Sequence, residues 1–193
     1  DIDQAKVKAL LIAEQAANLS SEDPLILTVL GTVHTFMRNY GTARVLLERA
    51  ATLDPNSAWT HSRLGWLSVY ADRPEEARSY FEKALRLSPL DPMNFNNHVG
   101  IASSYQVAGD DKTASKGFQR ALDERKNALW IHRNLAPALL GAGNEQEARK
   151  SFEILIAAYP KMTVQHFKNA MVFSQPVLDR IGAQLLELGV PEK

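Results

Sequence analysis

The chain has 193 residues, 45% of them hydrophobic, and its 22 Lys and Arg residues balance 22 Asp and Glu residues. That length and apolar content can bury a sizeable core, which argues against intrinsic disorder. A formal net charge of zero provides no global field to attract nucleic acid or an anionic membrane, and the absence of cysteine excludes disulfides, thiolate nucleophiles and cysteine metal sites.

Apolar residues recur with helical rather than alternating spacing along the chain. The pattern predicts eleven helices and no strand, with the helices at residues 2–18, 24–38, 42–53, 58–71, 74–87, 92–108, 111–124, 129–142, 145–158, 163–173 and 177–188. Three polar side chains are expected to cap the helices that follow them: Asp72, Asp110 and Asn144. Pro137 cannot donate to the Arg133 carbonyl, so we expect its helix to be kinked or shortened.

Signals that would anchor or export the chain are missing from the sequence. No apolar run approaches the roughly 20 residues that cross a bilayer, and no signal-peptide pattern opens the chain. We therefore expect a soluble, cytoplasmic protein without a membrane span. Because the first residue is Asp1 rather than Met and a helical pattern begins at once, we expect a fragment of a longer polypeptide.

Small residues recur at a nearly constant spacing. Alanines separated by 34, 34, 37 and 34 residues stand at Ala9, Ala43, Ala77, Ala114 and Ala148. Proline follows twelve residues later in three cases, at Pro55, Pro89 and Pro160. Leu-Gly pairs precede the alanines at Leu30-Gly31 and Leu64-Gly65, and an aromatic follows four residues later at Phe81, Phe118 and Phe152. A period of this length indicates repeated supersecondary units.

These residues resemble the tetratricopeptide repeat, a 34-residue helix-turn-helix unit. The resemblance implies an all-α superhelical solenoid of antiparallel helix pairs, here within a single domain. Four whole repeats are placed at 24–57, 58–91, 95–128 and 129–162. A partial repeat is placed at 1–23, and a degenerate repeat with a C-terminal capping helix at 163–193.

The last twenty residues carry a weaker resemblance. The segments Phe173-Ser174-Gln175-Pro176 and Leu188-Gly189-Val190-Pro191-Glu192, with Arg180 between them, resemble the end of tetratricopeptide segments attached to bacterial class III adenylate or guanylate cyclases. This resemblance implies a regulatory region of a bacterial signalling protein. A scaffold or assembly factor of the bacterial envelope is the alternative, and an enzyme with an unrecognised site is a third reading.

Four histidines occupy the fourth position of their repeats: His61, His98, His132 and His166. Successive positions should lie about 9 Å apart, too far for easy sharing of a zinc ion whose ligands lie within about 2.1 Å. We expect these side chains to pack in the core, with a pH-sensitive interface or a metal site as the alternatives. No phosphate loop, nucleophile elbow or zinc-protease motif is present, so we expect no catalysis, cofactor or metal.

A basic stripe follows one predicted helix and the turn after it, at Lys112, Lys116, Arg120, Arg125 and Lys126. Interleaved aromatics, which bind single-stranded nucleic acid by stacking, are missing there. We expect a solvated face, with contact to phosphate or an acidic partner as the alternative.

The resemblance implies that the first helix of each repeat lines a concave wall. Six residues on these helices are candidate partner contacts: Phe36, Trp59, Trp66, Tyr70, Trp130 and Arg133. Aromatic side chains anchor interfaces because they bury a large area with few rotamers. We expect them to bind a protein or peptide segment, including an upstream domain of the same polypeptide. The alternative is that they only fill the inner seam between helices.

Overall fold

The computed structural model describes residues 2–19 and 22–193, so positions 1, 20 and 21 of the predicted partial repeat lie outside the described residues. The described chain is helical, and no strand occurs in it. The helices are α1 (Ile2–Leu19), α2 (Pro24–Phe36), α3 (Tyr40–Leu53), α4 (Ala58–Tyr70), α5 (Pro74–Leu87), α6 (Asn94–Val107), α7 (Asp111–Glu124), α8 (His132–Gly141), α9 (Glu145–Ala158), α10 (Val164–Ala170) and α11 (Gln175–Leu188). Each predicted helix is present, with ends that differ from the prediction by at most three residues.

The chain forms two compact units, Asp1–Asp91 and Pro92–Lys193. In the first unit α2 packs against α3, α4 against α5, and α3 against α4. In the second unit α6 packs against α7, α7 against α8, and α8 against α9. Both units are therefore runs of sequential helix pairs joined by short turns, as the repeat predicts. The single domain over 1–193 stays a prediction.

The recurring alanines lie where consecutive helices meet. Ala43, Ala77, Ala114 and Ala148 are completely buried, because a methyl group is the largest side chain that so close an approach admits. Ala9, the first of the series, is instead exposed; among the described residues α1 packs chiefly against α2.

The glycines of the Leu-Gly pairs also allow consecutive helices to pack closely. A Cβ on Gly65 would lie 2.7 Å from the Phe81 ring, and one on Gly31 would lie 2.7 Å from Leu47. Phe81 and Phe118 are completely buried, whereas Phe152 is only partly buried. Glycine in the first helix thus leaves room for the large apolar side chain of the second.

The predicted helix caps are only partly confirmed. Asp110 accepts a hydrogen bond from the Thr113 amide at 3.0 Å. The predictions for Asp72 and Asn144 are wrong, because neither α5 nor α9 has a side-chain cap. Asp72 adopts a left-handed conformation with φ of 56° in the turn before α5. That turn needs a residue that tolerates positive φ, which aspartate does better than most.

Pro137 lies within α8 and does not end it. A 3-10 turn at Leu129–Ile131 precedes α8, which leaves 10 residues in the α-helix, against 13 in α4. The expected shortening is therefore present at the start of the helix.

The C-terminal helix covers the end of the second unit, as predicted. α11 packs against α8, α9 and α10, and buries the predicted stripe of Val177, Ile181, Leu185 and Leu188. After α11 the chain returns to α10, where the amides of Val164 and Gln165 donate to the carbonyls of Pro191 and Glu192 at 2.9 and 3.0 Å. No helix in residues 2–19 and 22–193 combines the length and apolar character needed to cross a membrane.

Candidate functional site

An exposed aromatic surface lies on α2 and α4 in the first unit. It comprises Phe36, Trp59, Trp66 and Tyr70, and we call it the α2/α4 aromatic surface. The spacing of the three α4 residues places them on one helix face. Phe36 and Trp59 are 42% and 40% exposed, Trp66 is partly buried, and Tyr70 is only 7% exposed. Tyr70 therefore supports the other rings from below and offers little area to a partner, and the role of these residues in binding stays a prediction.

Three of the four rings, Phe36, Trp66 and Tyr70, contact one another, and Trp66 also contacts Phe81 of the core. Trp66 stacks on Tyr70 with the ring centroids 5.6 Å apart, and it meets Phe81 edge-on at 5.6 Å. Phe36 lies 6.3 Å from Tyr70. Such contacts restrict these rings to few rotamers, so little of their side-chain entropy would be lost when a partner binds.

Arg63 adds a positive charge beside these rings. Its guanidinium lies 6.0 Å from the centroid of the Trp59 ring, and a terminal nitrogen donates to the Ser62 hydroxyl at 3.4 Å. Burial lowers the pKa of Arg63, and no carboxylate in the described part of the chain forms an ion pair with it. A partly buried cation without a counterion attracts an anion. The sequence analysis did not include Arg63, because its depth depends on tertiary packing.

The other two predicted contacts lie in the second unit. Arg133 projects from the first turn of α8, with its guanidinium 5.2 Å from the centroid of the Trp130 ring. Both side chains are partly buried and line a cleft of about 480 Å³ near α9 and α10. We call it the α9–α10 cleft; it is lined by Trp130, Arg133, Leu155, Ala158, Tyr159, Pro160, Lys161, Met162, His166, Phe167, Ala170 and Met171.

Most of the cleft residues were missed by the sequence analysis. Tyr159 through Met162 belong to the connection after α9, and Phe167 and Met171 belong to the region of α10. The sequence predicted a first helix over 163–173, whereas α10 ends at Ala170 after two turns. The cleft is apolar except for Arg133, Lys161 and His166, and it includes no acidic side chain.

The histidines follow the packing prediction at three positions of four. His61 is buried, stacks on Tyr80, and its Nε2 lies 2.9 Å from the Pro55 carbonyl oxygen. His132 is buried, with Nδ1 2.8 Å from the Ser151 hydroxyl. His98 is partly buried, with Nε2 3.4 Å from the Glu124 carboxylate.

The packing prediction is wrong for His166, which is exposed at the rim of the cleft because α10 stands apart from α9. Among the described residues, no group of three or more His, Asp and Glu side chains is arranged to hold a metal ion.

The buried histidines should make the fold sensitive to acid. Burial lowers the pKa of both His61 and His132. The unfolded chain then binds protons more readily than the folded chain, so stability falls as the pH drops through about 6.5, the value for an unfolded histidine. We expect the free energy of unfolding in urea to decrease between about pH 7.5 and 5.5, and to decrease less in the variant His132→Gln. An equal decrease in both proteins would contradict this assignment.

The basic stripe is a solvated face. Lys112, Lys116, Arg120, Arg125 and Lys126 are all exposed. Arg120 lies 3.5 Å from the Glu124 carboxylate, and the Arg125 guanidinium lies 5.3 Å from the centroid of the Phe95 ring. Part of the positive charge is thus compensated locally.

Comparisons with known proteins agree with the arrangement of the helices. Two sequence profiles described as tetratricopeptide repeat match residues 58–91 and 134–161. BBSome complex member BBS4 of Xenopus tropicalis is 30% identical over 124 residues, which are 64% of this chain and 23% of that protein. The match therefore spans less than a quarter of the relative's length.

Solved structures share the fold at lower identity. PilW, described as a type IV pilus biogenesis factor, matches 96% of this chain and 84% of its own with a TM-score of 0.74 and 19% identity. YrrB, described as a TPR protein with an unusual peptide-binding site, matches 92% of each chain with a TM-score of 0.58 and 20% identity. The helices, their repeat alanines and these matches confirm the all-α tetratricopeptide solenoid class, and the chain is a tetratricopeptide-repeat protein.

Proposed function

We propose that this chain is a non-catalytic protein-interaction module that binds a partner through the α2/α4 aromatic surface. The observation that carries the proposal is the exposure of Phe36 and Trp59, with Phe36 resting on Tyr70 and Trp59 lying beside the Arg63 guanidinium. Isolated exposed apolar residues are ordinary, but a rigid aromatic group on one face is typical of a contact surface. Tetratricopeptide-repeat proteins bind peptides or proteins, which agrees with this role.

The chemistry of the surface favours a particular kind of partner segment. Trp59 and Phe36 offer apolar area, and Arg63 offers an uncompensated positive charge beside Trp59. A segment with apolar side chains and one carboxylate near Arg63 would satisfy both. The carboxylate would gain a charge-assisted hydrogen bond at a partly buried position, where such bonds are strongest.

The finer role that we propose is regulation within a bacterial signalling protein of the cytoplasm, such as a nucleotide cyclase. The C-terminal resemblance at Phe173–Pro176 and Leu188–Glu192 supports it. A scaffold or assembly factor of the bacterial envelope is the alternative. Reading the gene on both sides of this sequence separates the two: a cyclase domain supports signalling, and a signal peptide or membrane anchor supports the envelope.

Binding through the α2/α4 aromatic surface can be tested by replacing only its two exposed residues, so that the core is left intact. In the double variant Phe36→Ala, Trp59→Ala we expect affinity for a partner purified from native extract to fall at least about tenfold, because aromatic anchors carry much of the energy of an interface. Isothermal titration calorimetry measures the affinity, and circular dichroism checks the fold.

The matched control is Val45→Ala, Leu53→Ala, which removes two exposed apolar side chains from α3. A folded aromatic variant that keeps every partner at full affinity would remove the proposal. Trp66→Ala is unsuitable, because Trp66 also packs against Phe81 in the core.

A further inference from the structure

The α9–α10 cleft has an apolar interior. Phe167 and Met171 are buried side chains of its wall, and Trp130 and Met162 are partly buried beside them. Among the described residues that line the cleft, none is Ser, Thr, Asn or Gln, and none is acidic. A molecule inside the cleft would therefore make apolar contacts and find few hydrogen-bond partners.

This interior suits a hydrocarbon chain better than a polypeptide. A peptide segment would bury backbone N–H and C=O groups in the cleft, and each such group without a partner costs free energy. An alkyl chain has no polar group to satisfy. The cleft volume of about 480 Å³ is that of a small-molecule site, whereas a protein interface usually buries about 800 Å² on each partner.

Two basic side chains mark the opening of the cleft. Lys161 follows α9 and His166 lies in the first turn of α10, and both are exposed residues of the lining. In the part of the chain that the structure describes, no carboxylate forms an ion pair with either side chain. A complementary ligand therefore carries a negative charge at one end and is apolar over the rest of its length.

We propose that the α9–α10 cleft binds the anion of a free medium-chain fatty acid, with its alkyl chain against Trp130 and Met171 and its carboxylate at Lys161. This site goes beyond the proposed protein-binding role and does not depend on it. Two of the four methionines of the chain, Met162 and Met171, line the cleft. Methionine side chains are flexible, so the wall can adjust to an alkyl chain.

The ligand class can be tested with a series of saturated fatty acids from hexanoate to dodecanoate. Isothermal titration calorimetry on the full chain measures each affinity below the concentration at which the acid forms micelles. We expect the affinity to rise about fourfold with each added methylene group until the cleft is full, because each group leaves water. Decylammonium should bind at least about fivefold more weakly than decanoate, since Lys161 repels its charge. Affinity that is independent of chain length, or equal affinity for the two head groups, would overturn the proposal.

Two variants test whether the acid lies in the cleft. Ala170→Trp fills the cleft and should weaken decanoate binding at least about tenfold. Lys161→Glu reverses the charge at the opening and should weaken it at least about fivefold. The matched controls Ala157→Trp and Lys150→Glu change exposed positions of α9 outside the cleft and should bind as the wild type does. Circular dichroism checks each fold, and a folded Ala170→Trp variant with full affinity would contradict the proposed site.

A further measurement needs no substitution at the cleft. In the chain with isotopically labelled methionine methyl groups, decanoate should shift the nuclear magnetic resonance signals of Met162 and Met171. The signals of Met37 and Met93, which do not line the cleft, should stay in place. Equal shifts of all four signals, or unchanged Met162 and Met171 signals at saturation, would rule out the cleft as the site.

A last comparison separates the free acid from a membrane lipid and from the protein-binding role. Vesicles of phosphatidylcholine and phosphatidylglycerol should not bind the chain, and binding to them without binding of free decanoate would overturn the proposal. The variant Phe36→Ala, Trp59→Ala should bind decanoate as the wild type does. Failure at the cleft and failure at the α2/α4 aromatic surface are therefore separate results.

Discussion

Replacement of Phe81 by alanine should destabilise the chain by about 3–5 kcal/mol, the range for deleting a buried aromatic side chain. Phe81 has no exposed area, contacts Trp66 edge-on, and lies against Gly65. A whole domain is stable by only about 5–15 kcal/mol, so this change is a large part of the free energy of unfolding. We therefore expect the first unit to unfold at a much lower urea concentration. Urea denaturation followed by tryptophan fluorescence measures the change.

A double-mutant cycle with Gly65 makes the same prediction sharper. Gly65→Ala alone should be destabilising by about 1–3 kcal/mol, because its Cβ would lie 2.7 Å from the Phe81 ring. In the Phe81→Ala background the same change should cost less, since the new methyl group enters the cavity. The control is Gly41→Ala, because nothing lies within 4 Å of the added Cβ. For this variant we expect the free energy of unfolding to stay the same or to rise slightly, since alanine favours the helix. Additive effects at Gly65 and Phe81 would show that the two residues do not share this space.

Deletion of residues 174–193 should lower the melting temperature and the solubility of the chain. The deletion removes Ile181 and Leu185, which are completely buried, and uncovers the apolar faces of α8 and α9 that α11 covers. It also removes Arg180, which donates to the Asp111 carboxylate at 3.1 Å and to the Gln106 carbonyl. Gln184, whose amide donates to the same carboxylate at 3.1 Å, is deleted as well, so the buried Asp111 side chain would lose both of these partners. Unchanged thermal unfolding and solubility would mean that the segment is a tail.

The variant Arg180→Met tests the polar part of this cap on its own. It keeps the apolar stem of the side chain and removes the charge, so the buried Asp111 carboxylate keeps the Gln184 amide as a donor but loses its ion pair, and the second unit should be destabilised by about 1–3 kcal/mol. The control is Lys168→Met, whose ion pair with Asp179 lies at the surface and should contribute little. Equal melting temperatures for Arg180→Met and the control would place the stability of the cap in its apolar contacts alone.

The helices and their pairing could be predicted from the sequence with small errors. Each local signal is repeated: the buried alanines at Ala43, Ala77, Ala114 and Ala148 each mark the middle of a helix interface. The period of about 34 residues indicates repeated supersecondary units, and the Leu-Gly pairs and the aromatic positions carry the resemblance to the tetratricopeptide repeat. The candidate aromatics on α4 followed from the same register, because residues at fixed places in a helix share a face.

The burial of each candidate residue depends on side chains that are distant in the sequence and come close only in the folded chain. The same register that exposes Trp59 buries Tyr70 under Phe36 and Trp66. Arg63 becomes an uncompensated cation only when its helix is packed. Burial is a sum over contacts from several elements, so no single helix pattern predicts it.

What the sequence determined by itself was therefore the period, the helix boundaries and the residues that stand at each interface, since these follow from short-range spacing. Only the tertiary structure decided the contact of Arg180 with Asp111, 69 residues away, and the cleft that brings Trp130 and Arg133 together with Lys161 and Met171. The contact and the cleft both depend on how α10 and α11 pack against the helices before them. The degenerate last repeat lacks the regular spacing that positions earlier helices, so long-range packing places them instead.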